Sequence, residues 1–339
     1  MEKFIGTGLR LPLWDWLDSA NVILLSGCGG GFDFLHALPL YFKLVGMGKT
    51  VVLGNLTFSP LKSTNAPVLV TATDLAQSPV LFEVTADSHL SHNSTAPDAY
   101  FPEKYLCEWF RSLGTEMTIF TFMKRGVTSL AAAYRYLQTR FHLDLIVLVD
   151  GGSDSLMAGD EHHLGTPAED MMSMFAVHSV DCKAMLLCLG LGADRYHGVS
   201  DCSTLRAIAE LTAVDGFLGS FSLLRSMPEV QGYIAASDYI QTRMTTFASI
   251  VNYYISSALE GRFGDYNTNP RTSGSRLFIN PLMCQYYAFS LPEVIKRVKY
   301  REFVEGTKTQ VDLLQGIDYY RENHPIKESD EEIPRTSEF

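Results

Sequence analysis

Apolar residues fall along this chain in two rhythms. Short, nearly unbroken runs at 21–26 (NVILLS), 50–53, 117–122, 144–149 (DLIVLV) and 183–190 read as strands buried on both faces, because a strand with one wet face would alternate. Between them, 127–141, 168–180 and 203–213 repeat apolar residues at helical spacing, and 104–113 is an amphipathic helix. The stretch 32–45 has the same spacing, with Pro39 in its second turn predicting a kink. Two further extended segments, 66–73 and 79–85, precede a polar surface loop at 86–102, and 216–223 reads as a short strand. Beyond Pro228 the pattern is mainly helical (230–243, 245–259, 292–300 and 310–323), broken by a loop at 261–275 and a returning strand at 276–280.

Strand and helix in alternation predict an α/β fold: a doubly wound, mostly parallel, Rossmann-like sheet with a helical C-terminal portion from about residue 228. With no internal repeat and no linker before Pro325, a single domain over 1–324 is expected, followed by an acidic, disordered tail at 325–339.

The first strand runs into Gly27-Cys28-Gly29-Gly30-Gly31. A glycine turn between a buried strand and a helix lets backbone approach a ligand and offers N–H groups to an anion. Gly29, Gly30 and Gly31 are the candidate contacts, with Asp33 as cap or ligand group. The dinucleotide fingerprint is incomplete, since Phe32 and Phe34 stand where its third glycine belongs in the two registers. No acid occurs from Leu44 to Thr73, so the second strand ends at Gly54-Asn55 without a carboxylate for a ribose, which argues against NAD as a redox cofactor. Asn55 remains a candidate ligand contact.

Residues 150–170 (DGGSDSLMAGDEHHLGTPAED) hold six acids, Asp150, Asp154, Asp160, Glu161, Glu169 and Asp170, and no lysine or arginine. Asp150 closes a buried strand at the sheet edge where open α/β folds bind ligands, and Gly151-Gly152 free the backbone beside it. Unbalanced carboxylates repel unless they face solvent, a divalent cation or a hydroxyl-rich ligand. Hard oxygen donors favour Mg²⁺, Ca²⁺ or Mn²⁺ over zinc, with Asp150 and Asp154 as candidate ligands. Thr166, Pro167 and Glu169 read as a capping box that also occupies Asp170, and Asp160-Glu161 reads equally as a solvated turn. Gly190 to Asp194, with Arg195 and His197, closes another strand at the same edge; Arg271, Ser273 and Arg276 are weaker anion candidates.

With 46% hydrophobic and 19% charged residues the chain can build a sizeable core. Its net charge of −11 argues against nucleic acid as a partner, and −4 of it comes from residues 328–339. No run is apolar and long enough for a bilayer span, and no secretory h-region is seen near the start. Six cysteines without a C-x-x-C pair read as reduced thiols of a cytoplasmic protein, so the sequons at Asn55 and Asn93 are chance matches. A small-molecule ligand is expected as partner, and self-association is left open.

The glycine loop with Ala37-Leu38-Pro39-Leu40, then Phe101-Pro102-Glu103, then Asp150 to Met157 with Gly159-Asp160-Glu161, Gly165-Thr166-Pro167 and Glu169-Asp170, resembles the domain-of-unknown-function family eleven-fifty-two over about 21–320. Phe32 and His36 stand where that family usually has a glycine and a small residue. The resemblance implies an α/β fold and a role for Glu103, whose place after Pro102 a helix start would otherwise explain; it implies no reaction.

The expectation is an enzyme acting on a small phosphorylated or ribosylated molecule. Gly29 to Gly31 would hold its anionic end, Asp150 and Asp154 would bind hydroxyls or a metal, and Asp160, Glu161 or Glu103 would serve as general base. Hydrolysis is the first choice, with lyase or isomerase chemistry and a non-catalytic nucleotide-sensing module as alternatives.

Overall fold

Asp150 ends a strand whose every residue is buried, and that burial is explained by the sheet around it. The computed structural model describes residues 9–72, 78–91, 100–266 and 278–328. The strands are β1 (Val22–Gly27), β2 (Thr50–Thr57), β3 (Val68–Ala72), β4 (Ser78–Val84), β5 (Ile119–Met123), β6 (Leu145–Asp150), β7 (Lys183–Leu189), β8 (Phe217–Ser222), β9 (Gly264–Asp265), β10 (Phe278–Ile279) and β11 (Gln285–Ser290). The helices longer than one turn are α1 (Pro12–Ser19), α3 (Leu38–Gly46), α4 (Pro102–Ser112), α5 (Val127–Phe141), α6 (Pro167–His178), α7 (Asp201–Thr212), α8 (Pro228–Gln241), α9 (Ile250–Leu259), α10 (Leu291–Arg297) and α12 (Gln310–Asn323), with single turns α2 (Asp33–His36) and α11 (Arg301–Val304).

Nine strands form one mixed sheet in the order β3-β4-β5-β2-β1-β6-β7-β11-β8. The five central strands, β5 to β7, pair in parallel, and antiparallel β3-β4 and β11 extend the two sides. Successive side chains of the central strands enter opposite cores: Leu24, Ile146 and Leu148 pack beneath α5 and α6, whereas Ile23, Leu25, Leu145 and Val147 pack against α3, α4 and α8. Two buried faces are the reason these strands read as continuous apolar runs. The sheet is thus Rossmann-like, covered on both sides, with helices beyond it towards the C-terminus.

Several predicted elements shift. The helix expected over 32–45 is two: α2 ends at His36, and α3 restarts at Leu38 with Pro39 in its first turn, because proline has no N–H to donate and crowds the preceding turn. Residues 285–290 form β11, between β7 and β8, in a stretch the sequence pattern left without a strand. Among the described residues the returning strand is Phe278–Ile279, paired with β9. Arg271, Ser273, Arg276, Asn93 and most of the predicted tail lie outside the described residues.

The chain leaves β1 on one side to build β2 and β5, then crosses β1 to enter β6 on the other. The loops after β1 and β6 therefore diverge at a switch point, and a crevice opens between them at the carboxyl ends of the strands.

Candidate functional site

That crevice is a cavity of about 560 Å³. The glycine loop, Asp150-Gly151, Asp154, Asp170 and Asp194 line it, and Phe58, Tyr100 and Phe247 stand at its mouth. The two loops singled out in the sequence meet in one space.

Gly30 and Gly31 sit at φ of 91° and 68°, where a side chain is strained, and this backbone folds the loop back over the strand ends. The loop is tied by Asp33, whose Oδ2 accepts the Gly29 N–H at 2.7 Å and whose Oδ1 accepts the Gly151 N–H at 3.3 Å. Asp33 thus occupies backbone donors from both loops with its own carboxyl oxygens. Because α2 is a single turn, the helix end that would attract an anion is short as well. Asp33, the cap or ligand group of the sequence reading, thus ties the loop and lines the cavity together with Gly29, Gly30 and Gly31.

Five aspartates surround the cavity floor: Asp33, Asp150, Asp154, Asp170 and Asp194. Among the described residues, no lysine or arginine lines the cavity. Burial, then the neighbouring Asp154 charge, pushes the Asp150 carboxyl up to about 7. Burial raises Asp154 too, and it drives Asp33, Asp170 and Asp194 well above the usual carboxylate range, with repulsion from their neighbours adding to it.

Their hydrogen bonds separate them. Ser155 Oγ donates to Asp150 Oδ2 at 2.5 Å. Asp154 Oδ2 accepts both the N–H (2.8 Å) and the hydroxyl (3.0 Å) of Thr166, and Asp194 Oδ2 accepts the Ser153 N–H at 2.6 Å. Asp170 Oδ1 is buried with no partner among the described residues, and oxygens of Asp33, Asp150 and Asp170 come within 4.8 Å of one another. His36 is 1% exposed and lies against the same floor, its Nδ1 4.0 Å from Asp33 Oδ1. Its ring nitrogens make no hydrogen bond within normal limits, although the Asn252 side chain lies against the ring. Burial lowers its pKa to about 3, so it is neutral and balances none of the acids.

The mouth is aromatic. Phe58, Tyr100, Phe32 and Phe247 form a chain of ring contacts with centroids 5.5–6.3 Å apart. Lys124 Nζ lies 4.3 Å over the Phe58 ring and 3.1 Å from Glu169, so positive charge stands at the rim.

The remaining sequence candidates lie elsewhere. Asp160 is paired with Lys299 and, at 3.0 Å, with Lys327; partial burial acts upward, but these lysines hold it below the usual range. Glu161 accepts the N–H groups of Ala158 (3.0 Å) and Gly159 (2.8 Å) and closes its own turn. Neither lines the cavity, because the chain after Asp154 turns towards the link between α10 and α11 and the residues after α12. Glu103 is fully buried behind the loop: Oε1 accepts the Asn55 amide at 2.8 Å, Oε2 accepts the Ser59 hydroxyl at 2.7 Å, and burial raises it. Asn55 in turn donates to Gly31 O at 3.1 Å, so Asn55 and Glu103 position the loop from beneath. Gly152 packs against Asp194, a built Cβ coming 2.5 Å from its Oδ2.

The capping box is a correction. Thr166 caps no N–H of α6; its hydroxyl goes to Asp154, Glu169 pairs with Lys124 and Gln310, and Asp170 faces the cavity. Asp194 and His197 line the site, whereas Arg195 pairs with Asp201 at 2.6 Å. Phe58, Tyr100 and Phe247 had no local signal, being single aromatics from separate elements. The thiols of Cys28 and Cys188 are fully buried and pushed up, chiefly by that burial, so neither is a poised nucleophile.

Residues 24–324 match the family model described as "Protein of unknown function (DUF1152)". The chain belongs to that family. No curated protein and no solved structure is found similar to it. Both loops and all five cavity aspartates fall inside the matched region. All six cysteines are free, and no helix of the described residues is long and apolar enough to cross a membrane.

Proposed function

We propose that this protein is an enzyme that hydrolyses a small, nucleotide-like molecule, phosphorylated or ribosylated. The observation that carries the reading is one cavity with a carboxylate floor and an aromatic mouth at the switch point of a Rossmann-like sheet. Carboxylates accept hydrogen bonds from sugar hydroxyls and take a proton from water, and flat rings stack on a base. Asp150 is the general base of choice, since a carboxyl whose pKa is raised to about 7 exchanges its proton near neutral pH. Asp154 and Asp194, fixed by Thr166 and Ser153, orient hydroxyls.

A second reading, ligand sensing without turnover, is favoured by Phe32: where the family resemblance leads one to expect a glycine, this chain places a ring that packs on Tyr100 at 5.7 Å. A thermal-shift panel of nucleotides, ADP-ribose and sugar phosphates, followed by product analysis, separates the two. Turnover that Asp150→Asn abolishes while binding persists supports the enzyme; stabilisation with no product from any ligand supports the sensor. If Asp150→Asn leaves binding and turnover both intact, the assigned role of the acidic floor is wrong.

A further inference from the structure

We propose that Asp33, Asp150 and Asp170 bind one divalent cation at the floor of the cavity, with Asp154 outside its ligand set. Oxygens of these three side chains lie within 4.8 Å of one another. Oxygens bound to one Mg²⁺ or Ca²⁺, at roughly 2.1–2.4 Å from the ion, are separated by about 3–5 Å. The three ligands arrive from three elements: the turn after β1, the end of β6 and the first turn of α6. The site is therefore assembled by the tertiary fold.

Proximity of acids alone would not make a site. Asp170, however, is 1% exposed and its Oδ1 has no hydrogen-bond partner among the described residues, a costly arrangement unless something positive meets that oxygen. His36, also 1% exposed, lines the same floor with both ring nitrogens unsatisfied within normal limits. Among the described residues the lining includes no lysine or arginine, and Lys124 reaches only Glu169 at the rim. Asp154 stands outside the set because its oxygens are not among those that lie within 4.8 Å of one another; its Oδ2 is held instead by Thr166 at the start of α6. An all-oxygen donor set selects Mg²⁺, Mn²⁺ or Ca²⁺ over zinc or copper.

The assignment deepens the hydrolytic reading and rests on it for what the ion would do: with Asp150 then a ligand rather than the general base, the ion would bring a phosphate into a cavity of aspartates and lower the pKa of a bound water. Whether the ion binds is measured without substrate, so the two can fail separately.

The test is a titration of the metal-stripped protein with MnCl₂, with free Mn²⁺ read by electron paramagnetic resonance. One bound Mn²⁺ per chain, displaced by Mg²⁺ or Ca²⁺, is expected. Asp150→Asn and Asp170→Asn should each weaken it by about 100-fold or more, and Ser155→Ala, which removes the partner of Asp150, by about tenfold. Asp154→Asn should change it by less than about tenfold, and the surface variant Glu322→Gln not at all. Asp170→Asn removes repulsion, so its metal-free thermal midpoint should equal or exceed the parent's, which distinguishes lost binding from lost folding. The proposal is overturned by no Mn²⁺ bound below millimolar concentration, by Asp154→Asn being as damaging as Asp170→Asn, or by Asp170→Asn losing Mn²⁺ only together with its fold.

Discussion

Asp33 Oδ1 accepts a hydrogen bond from the Gly151 N–H at 3.3 Å, and this contact ties the loop after β1 to the loop after β6, 118 residues further along the chain. Around it the packing is tight. A Cβ on Gly151 would lie 2.3 Å from the His36 ring and 2.8 Å from Asp33 Oδ1, and His36 is locked by burial and cannot swing away.

Gly151→Ala should therefore destabilise the protein by about 2–4 kcal/mol, in the range of an overpacked core position. Gly46→Ala is the contrast. Gly46 ends α3 with open space where the Cβ would go, and alanine there should be neutral or stabilise by up to about 1 kcal/mol. Chemical denaturation of both variants checks the pair, and equal effects would contradict the packing account.

Glu103 satisfies Asn55 and Ser59 in a fully buried setting. Replacing it with alanine strands both partners, at a cost of about 2–4 kcal/mol, whereas Glu103→Gln keeps the shape and an acceptor and should cost less than half as much. If Asn55 then releases Gly31, ligand affinity should fall along with stability. A Glu103→Ala protein of parental stability would refute the positioning role.

The acid cluster sets a direction for pH. Asp150 ionises near 7 in the folded protein and near the ordinary carboxylate value when unfolded, so the native state holds a proton that the unfolded chain releases. The associated stability is fully present below about pH 4 and is lost as pH rises through about 7. In the presence of EDTA, unfolding free energy should fall between pH 5 and 8, by on the order of 1–4 kcal/mol, and Asp150→Asn should flatten the slope. A metal-free protein that gains stability over that interval would contradict this picture of the floor.

Saturating Mn²⁺ should reverse that trend. A cation that binds only the native state adds about 2.7 kcal/mol at one hundred times its dissociation constant, and it binds best to ionised carboxylates, so the gain grows with pH. Melting curves at pH 5.5 and 8, with and without the ion, give the sign directly.

Phe58 is 47% exposed and packs against Tyr100 at the mouth. Phe58→Ala should leave stability nearly unchanged yet weaken a nucleotide-like ligand by about 1–3 kcal/mol, the loss of one stacking surface. Ribose phosphate, which has no base to stack, should bind parent and variant alike.

What the sequence determined by itself is the scaffold and the identity of its two principal loops. Runs such as DLIVLV have one low-energy use, a strand covered on both faces, and a glycine cluster or a lysine-free acidic stretch is visible wherever it falls. The tertiary structure decided which acids share a space. Asp160 and Glu161 are carboxylates of the same loop as Asp150, yet Lys299, Lys327 and the turn amides claim them. Asp170, which reads locally as part of a helix start, turns inwards to the floor, and Asp194 arrives from the turn at 193–197 that follows β7. Strand β11 enters the sheet from nearly one hundred residues beyond β7, and the aromatic mouth draws on four separate segments. Charge and apolar periodicity are properties of a few neighbouring residues. Partners, burial and unmet hydrogen bonds depend on contacts between positions far apart in the chain, and only folding brings those together.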